Sequence, residues 1–392
     1  MALDFNEWQG VLRQHENSPY YPDFAVRWTS KSLNFPERIG FFNVGDLGVD
    51  SIDFLQRSSL SGFNITNTTL LKVLRFPYLR SVGDATHAGA LVITGNTGLL
   101  EIDLPGPLTV QGALTITGNT ALLALDLTNL LGAGSLTTTG NGAAVITLPA
   151  NLPNTLTTFS FGGATSSGIS LHDDPVLVAF LATALTTLTG PLNIFNNTAA
   201  GLTTITLGAL ANATSINASG DTHLTTLTIS SLLHATGLID VHNDVALTTL
   251  SLDGLLHADG GINASGDTLL TTPTLVALLD AGGLLDFNSS GLVTLTLTPL
   301  VTASLGIDAH ACAAFTTLTM SNFLPTNGTT INFNGCALTA VSVNKILARA
   351  VANAAYISGT INTAGGTSSA PTGQGITDKA TLIARGVTVL TN

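Results

Sequence analysis

The segment Ile216–Gly237, INASGDTHLTTLTISSLLHATG, returns almost unchanged at Ile262–Gly283 as INASGDTLLTTPTLVALLDAGG. A related segment separates the two copies. Each copy opens on a short block of the form Leu/Ile-x-apolar-x-x-(small polar). Each then runs into Leu-Thr-Thr-apolar-Thr and ends at a Gly. A chain that writes one segment repeatedly is building one structural unit repeatedly, because each unit buries its apolar face on its neighbours.

The opening block recurs along most of the chain. It reads LVITGN from Leu91, LTITGN from Leu114, LTTTGN from Leu136, ISLHDD from Ile169 and LNIFNN from Leu192. It continues as INASGD from Ile216, LIDVHN from Leu238, INASGD from Ile262, LLDFNS from Leu284, IDAHAC from Ile307 and INFNGC from Ile331. These starts lie 22–24 residues apart, apart from one wider gap between Leu136 and Ile169 that marks an insertion near 149–167. Weaker copies begin at Phe63 and Ile39. The period lies in the leucine-rich-repeat range of roughly 20–29 residues.

A second apolar block follows in each unit, as in LLEIDL at Leu99, LTTITL at Leu202, LTTLTI at Leu224 and LVTLTL at Leu292. Apolar residues and Thr alternate there with period two, the pattern of a strand with one buried face. Thr, Ile and Val favour strands. Gly, Asn, Asp and Pro lie between the blocks and supply tight turns. The predicted unit is strand, turn, strand, turn, and the predicted fold is a mainly β, parallel β-solenoid of 22–24-residue coils. The sixth block position reads Asn96, Asn119, Asn141, Asp174, Asn197, Asp221, Asn243, Asp267, Ser289, Cys312 and Cys336. Stacking sets these side chains one above another as a ladder that bonds the turn backbone. That is a structural role, and it explains why the segment repeats.

Two resemblances follow from these residues. The pattern is similar to the leucine-rich repeats of bacterial surface proteins and of the receptor L-domain, with LEIDLPGPLTVQGALTITGN the nearest stretch, over about residues 60–340. The ending, from CALTAVSVNKILARAV to GVTVLTN, resembles the C-termini of structural proteins of tailed bacteriophages, including tail and fibre proteins. The first resemblance implies the architecture. The second implies a virion protein with other virion proteins as partners, present in many copies or as a homo-oligomer.

Composition narrows the classes. The chain has 392 residues, 12 basic against 24 acidic, and only 9% charged residues. Soluble domains average about 25%. The acidic balance argues against nucleic-acid binding. Thr, Asn, Gly or Asp interrupts every apolar run before membrane-spanning length, so no membrane insertion is expected. The start MALDFNEWQG lacks the basic region and apolar core of a signal peptide. The expected localisation is therefore the virion, assembled in the host cytoplasm, with the bacterial cell surface as the alternative.

Three parts are expected: an N-terminal cap or attachment segment over 1–62, repeats over 63–340 and a C-terminal cap over 341–392. Trp8, Arg13, Tyr20, Tyr21, Arg27 and Trp28 concentrate in the first part. Aromatic and Arg enrichment is the composition of interface anchors. In the last part Val341, Ile346, Leu347, Ala350 and Val351 follow helical spacing. DKATLIARG reads as a second short helix with Asp378 near its start and Gly386 as its stop, and VTVLTN reads as a final strand.

Candidate chemistry is sparse. Cys312 and Cys336 lie one coil apart, within disulfide reach, and buried free thiols are the competing reading. His234, His257 and Asp280 form a column that has the makings of a metal site, although polar residues at an exposed turn are the simpler account. No acid pair or aromatic sugar platform for a polysaccharide-acting enzyme stands out. The expectation is a protein without catalytic residues, cofactor or metal. It is a phage virion component in the tail, fibre or capsid exterior, offering a rigid surface for assembly or for a host receptor. A bacterial surface adhesin or interaction module is the alternative, and an enzyme on a solenoid the least favoured.

Overall fold

A strand of two or three residues is far too short to stand alone. It persists only if the same strand of the next coil pairs with it in register, and this constraint organises the whole fold. A computed structural model describes residues 32–34, 41–44, 51–53, 59–60 and 62–392, apart from 84–88, 140, 142–145, 149–157, 162–164, 167–168, 174–175 and 198–201. Among the described residues the chain is a mainly β, parallel solenoid with two short helices. It divides into two compact units, Met1–Pro149 and Ala150–Asn392. The dividing point falls in the insertion that widens the repeat spacing. Trp8, Arg13, Tyr20, Tyr21, Arg27 and Trp28 lie outside the described residues.

In the first unit, Ser32–Asn34, Ser51–Asp53, Val73–Arg75, Glu101–Asp103, Ala124–Asp126 and Ile146–Thr147 make one parallel sheet. Phe41–Val44, Gly62–Thr66 and Leu91–Thr94 begin a second, which continues through the longer strands Leu108–Thr117 and Leu130–Thr138. The front of Leu108–Thr117 pairs with Ser81–Val82 and its back with Leu91–Thr94. Strands at 32–34, 41–44 and 51–53 already pair with later coils, so repeat-type pairing begins before residue 63.

The second unit departs from the two-strand expectation, because its coils contribute to three parallel sheets. One is ten-stranded and runs from Ile169–Ser170 through Ile216–Asn217, Ile239–Asp240 and Ile262–Asn263 to Thr388–Leu390. A second carries the Thr-rich strands Thr204–Thr206, Thr226–Thr228 and Thr249–Ser251, and the same pattern recurs in the pair Thr294–Thr296 and Thr317–Thr319. The third has seven strands, including Asn212–Ala213, His234–Ala235, His257–Ala258 and Asp280–Ala281. The sequence reading treated that last segment as a turn. With two residues per strand, period two has no length over which to show.

Register makes core columns. Ile216, Ile239, Ile262, Leu285, Ile307 and Ile331 are fully buried in the ten-stranded sheet. The Thr-rich strands bury Ile205, Leu227, Leu250, Leu295 and Leu318. The third sheet buries Ala213, Ala235, Ala258, Ala281 and Ala303. Each large buried side chain contributes about 1.5–3 kcal/mol.

The last coils exchange strands for helices. Helix α1, Ala340–Ala352, lies between strands Thr330–Asn332 and Thr360–Asn362 of the ten-stranded sheet, and α2, Gln374–Ala384, precedes Thr388–Leu390. Thr339 caps α1 by accepting from the Ser342 N–H. The helix buries Val343, Ile346, Leu347 and Ala350, while Val341 is 76% exposed. Val341 was expected inside, but the buried stripe starts at the capped Ser342 and continues through Val343, so Val341 faces outward. Helix α2 begins four residues before Asp378, so Asp378 sits mid-helix and bonds Gln374. Gly386 follows with φ +98°, as expected of a helix stop.

Gly306 opens its strand at φ +105°, and a Cβ there would overlap the Thr330 carbonyl oxygen of the next coil. Gly306→Ala is expected to lower stability by roughly 1–3 kcal/mol, read by chemical denaturation. Gly208→Ala, where a Cβ meets nothing within 4 Å, is the control and should cost far less. Equal losses would refute the register described here.

Candidate functional site

A polar ladder runs through the inside of the coils. In the first unit the Asn96 Oδ1 accepts from the Thr68 N–H at 3.0 Å and the Thr68 hydroxyl at 2.8 Å. The Asn96 N–H donates to Asn119 Oδ1 at 3.0 Å, and the Asn119 N–H to Asn141 Oδ1 at 3.1 Å. The other end of each amide donates to a carbonyl: Asn96 to Ile65, Asn119 to Ile93 and Asn141 to Ile116. Each side chain thus accepts a turn N–H from the preceding coil and donates back to a carbonyl of that same coil. Asn96 and Asn119 are fully buried. A buried backbone N–H without a partner costs about 1–3 kcal/mol, which these bonds avoid.

The second unit uses the same scheme with different chemistry. Asn197 donates from Nδ2 to the Leu171 carbonyl, and its N–H donates to Asp221 Oδ1. The Asp221 N–H donates to Asp244 Oδ1 at 2.7 Å, and the Asp244 N–H to Asp267 Oδ1 at 2.8 Å. Ser290, Cys312 and Cys336 continue the column.

Two expected members sit one place away. Asn243 and Ser289 hold left-handed backbone, φ +60° and +56°, at the turn position filled by Gly220 and Gly266 in neighbouring coils. Asp244 and Ser290 supply the ladder side chains there. Register is the reason. Ile239 pairs with Ile216 and Ile262, and Leu285 pairs with Ile262. The blocks therefore start at Ile239 and Leu285, not at Leu238 and Leu284. The doubled apolar pairs Leu238–Ile239 and Leu284–Leu285 hid that step. Asp174 lies outside the described residues.

The electrostatics divide the ladder. Burial raises the Asp221 carboxyl to about 8, against the bond from Asn197 that lowers it. Burial first, then the neighbouring Asp267 and Asp221, pushes Asp244 to about 10. Burial raises Asp267 to about 8. The two thiols are free. Cys312 donates to the Phe287 carbonyl at 3.1 Å and Cys336 to the Ala309 carbonyl at 3.0 Å. Burial raises both, Cys336 to about 12. These thiols act as polar rungs, and no disulfide joins them.

The His column lies on the outer side of the third sheet. His257 Nδ1 meets Asp280 Oδ2 at 2.7 Å, His234 Nε2 meets Asp259 Oδ2 at 2.9 Å, and the two rings stand edge to face at 5.7 Å. The pairing takes in Asp259 but does not bring His234 onto Asp280. Among the described residues no group of three or more His, Cys, Asp or Glu is placed to hold a metal. No helix among them is long and apolar enough to cross a membrane.

The Thr-rich strands carry two columns on their outward side, half-buried or exposed. Thr204, Thr226 and Thr249 stack in register, as do Thr206, Thr228 and Ser251. Thr294 and Thr317, with Thr296 and Thr319, repeat the arrangement. This surface has no charge and no aromatic ring in its two columns. Comparison with protein-family models, curated proteins and solved structures finds no match to this chain.

Asn119→Leu removes an acceptor and a donor together and should destabilise by roughly 1–3 kcal/mol. Thr115→Val, on the outward side of the same coil, should change stability by less than about 0.5 kcal/mol. Similar melting shifts for both would refute the ladder's role. His257→Ala should cost no more than about 1 kcal/mol, as surface pairs do, and elemental analysis of the purified chain should find no stoichiometric zinc, nickel or iron.

Proposed function

We propose that this chain is a non-enzymatic structural protein of a tailed-bacteriophage virion, in its tail, fibre or capsid exterior, and that its leucine-rich-repeat-like coils provide a rigid surface for assembly or host attachment. The observation that carries the reading is the use made of polar residues. The buried ladder residues close turns, and the outward Thr columns carry short side chains without charge of their own. Such a surface suits repeated packing in an assembly and offers little to a reacting substrate. The resemblance of the C-terminal segment to phage structural proteins supports the same reading. A bacterial surface adhesin is the second reading, since the repeat pattern is also similar to that of surface proteins.

Short side chains are a poor source of concentrated binding energy, whereas Trp, Tyr and Arg supply most hot spots. The attachment role therefore falls to Trp8, Arg13, Tyr20, Tyr21, Arg27 and Trp28, with other virion proteins as partners. Mass spectrometry of purified particles should find the chain at a fixed copy number, and its absence would refute the virion assignment. A chain lacking residues 1–31 keeps every described strand and should still fold, with a cooperative melting transition, yet fail to enter particles. Normal incorporation of that chain would place the anchor elsewhere. Adsorption of the free full-length protein to host cells would separate host attachment from a purely architectural role.

A further inference from the structure

We infer that Asp221, Asp244 and Asp267 are neutral carboxylic acids in the folded chain and form a proton-loaded lock, whose ionisation in mildly alkaline solution destabilises the coils between Ile216 and Leu270. The inference is independent of the virion reading.

The geometry carries it. All three residues are fully buried. The Oδ1 of each member accepts one backbone N–H, from Asn197, Asp221 and Asp244 in turn. The Oδ2 of each is buried with no partner that could donate to it. A buried carboxylate with one oxygen unsatisfied and no counter-charge is costly. The rest of the ladder shows what belongs at that atom. Where the rung is Asn, Nδ2 donates to a backbone carbonyl, as Asn197 does to Leu171. Where it is Cys, the thiol donates to one, as Cys312 does to Phe287. By register the corresponding carbonyls for the Asp run are those of Ile194, Ala218 and Val241, and no described backbone N–H donates to them. A protonated Oδ2–H makes Asp an equivalent of Asn, with one acceptor and one donor. An ionised Asp would set an oxygen lone pair against a carbonyl oxygen.

The surroundings offer no cation to hold the ionised form. The sequence from 81 to 344 contains no Lys or Arg. Asp240 faces Asp244 and Asp267 and adds repulsion. His242 is committed to Asp240 at 2.7 Å, and His223 bonds Thr222. Ionisation of one rung also places a charge one coil from the next. The burial that lifts these carboxyls agrees with the geometry.

The sign follows from proton count. The folded chain holds protons that the unfolded chain has released above about pH 4. Stability contributed by the lock is complete below that value. It is lost as pH rises toward the folded values of about 8 for Asp221 and Asp267 and about 10 for Asp244. Within that window each carboxyl can raise the unfolded-to-folded ratio by up to about tenfold per pH unit.

Two measurements on the full chain test this. Infrared spectra at neutral pH should show the C=O stretch of protonated carboxylic acids, lost in alkaline solution. Absence of that band at neutral pH would overturn the inference without any variant. The triple variant Asp221→Asn, Asp244→Asn, Asp267→Asn should keep the ladder, lack the band, and show a melting temperature that falls much less than that of the parent chain from about pH 5 to about pH 9. Parallel melting profiles would also overturn it. Should the triple variant not fold, Asp244→Asn alone serves in the same comparison.

Discussion

A parallel stack of short strands leaves one problem that sheet pairing does not solve. At the corner after each opening strand the chain turns, and the turn N–H groups point along the stack with no strand opposite. The next coil is the nearest source of an acceptor, and it must present one at the same place every time. Asn119 does this for Asn96, Asp244 for Asp221 and Asp267 for Asp244. Once that bond is required, much else follows. The repeat coils hold to 22–24 residues, the turn keeps its left-handed residue, and equivalent side chains fall into columns.

The columns then divide the work. The ten-stranded sheet packs Ile and Leu, and the Thr-rich strands pack Leu behind exposed hydroxyls, while the third sheet packs Ala. Small residues on one side admit large ones from the others, so the interior fills without long side chains reaching across it. Aromatic rings enter where the pattern relaxes, as in the edge-to-face pair Phe315 and Phe333 at 5.6 Å.

The repeat, its period and the parallel solenoid were legible because the INASGD copies and the Leu-Thr-Thr blocks are long enough to align on themselves. Most of the ladder was legible for the same reason. Asp244 and Ser290 were missed because Leu238 and Leu284 imitate the start of a block, and pairing of Ile239 with Ile216 and Ile262 resolves the ambiguity. The third sheet was missed because a two-residue strand such as His234–Ala235 carries no periodicity. The protonation of the Asp run was not legible either. It depends on the company that Oδ2 keeps, and an Asp in a turn usually faces water. Helix spacing located α1, but the choice between Val341 and Val343 depended on where the Thr339 cap set the first turn.

The backbone N–H bonds of the ladder run one way: the N–H of an earlier coil donates to the side chain of a later one. A coil in the middle of the stack therefore gives one such bond and receives one. Gene duplication of a whole coil would add a rung that satisfies its neighbours as it enters, and loss of a whole coil would let the flanking rungs close on each other. A fraction of a coil would do neither. Within each unit, length can drift over evolutionary time in steps of one turn of the solenoid, while the two ends remain the only places where new sequence must be invented.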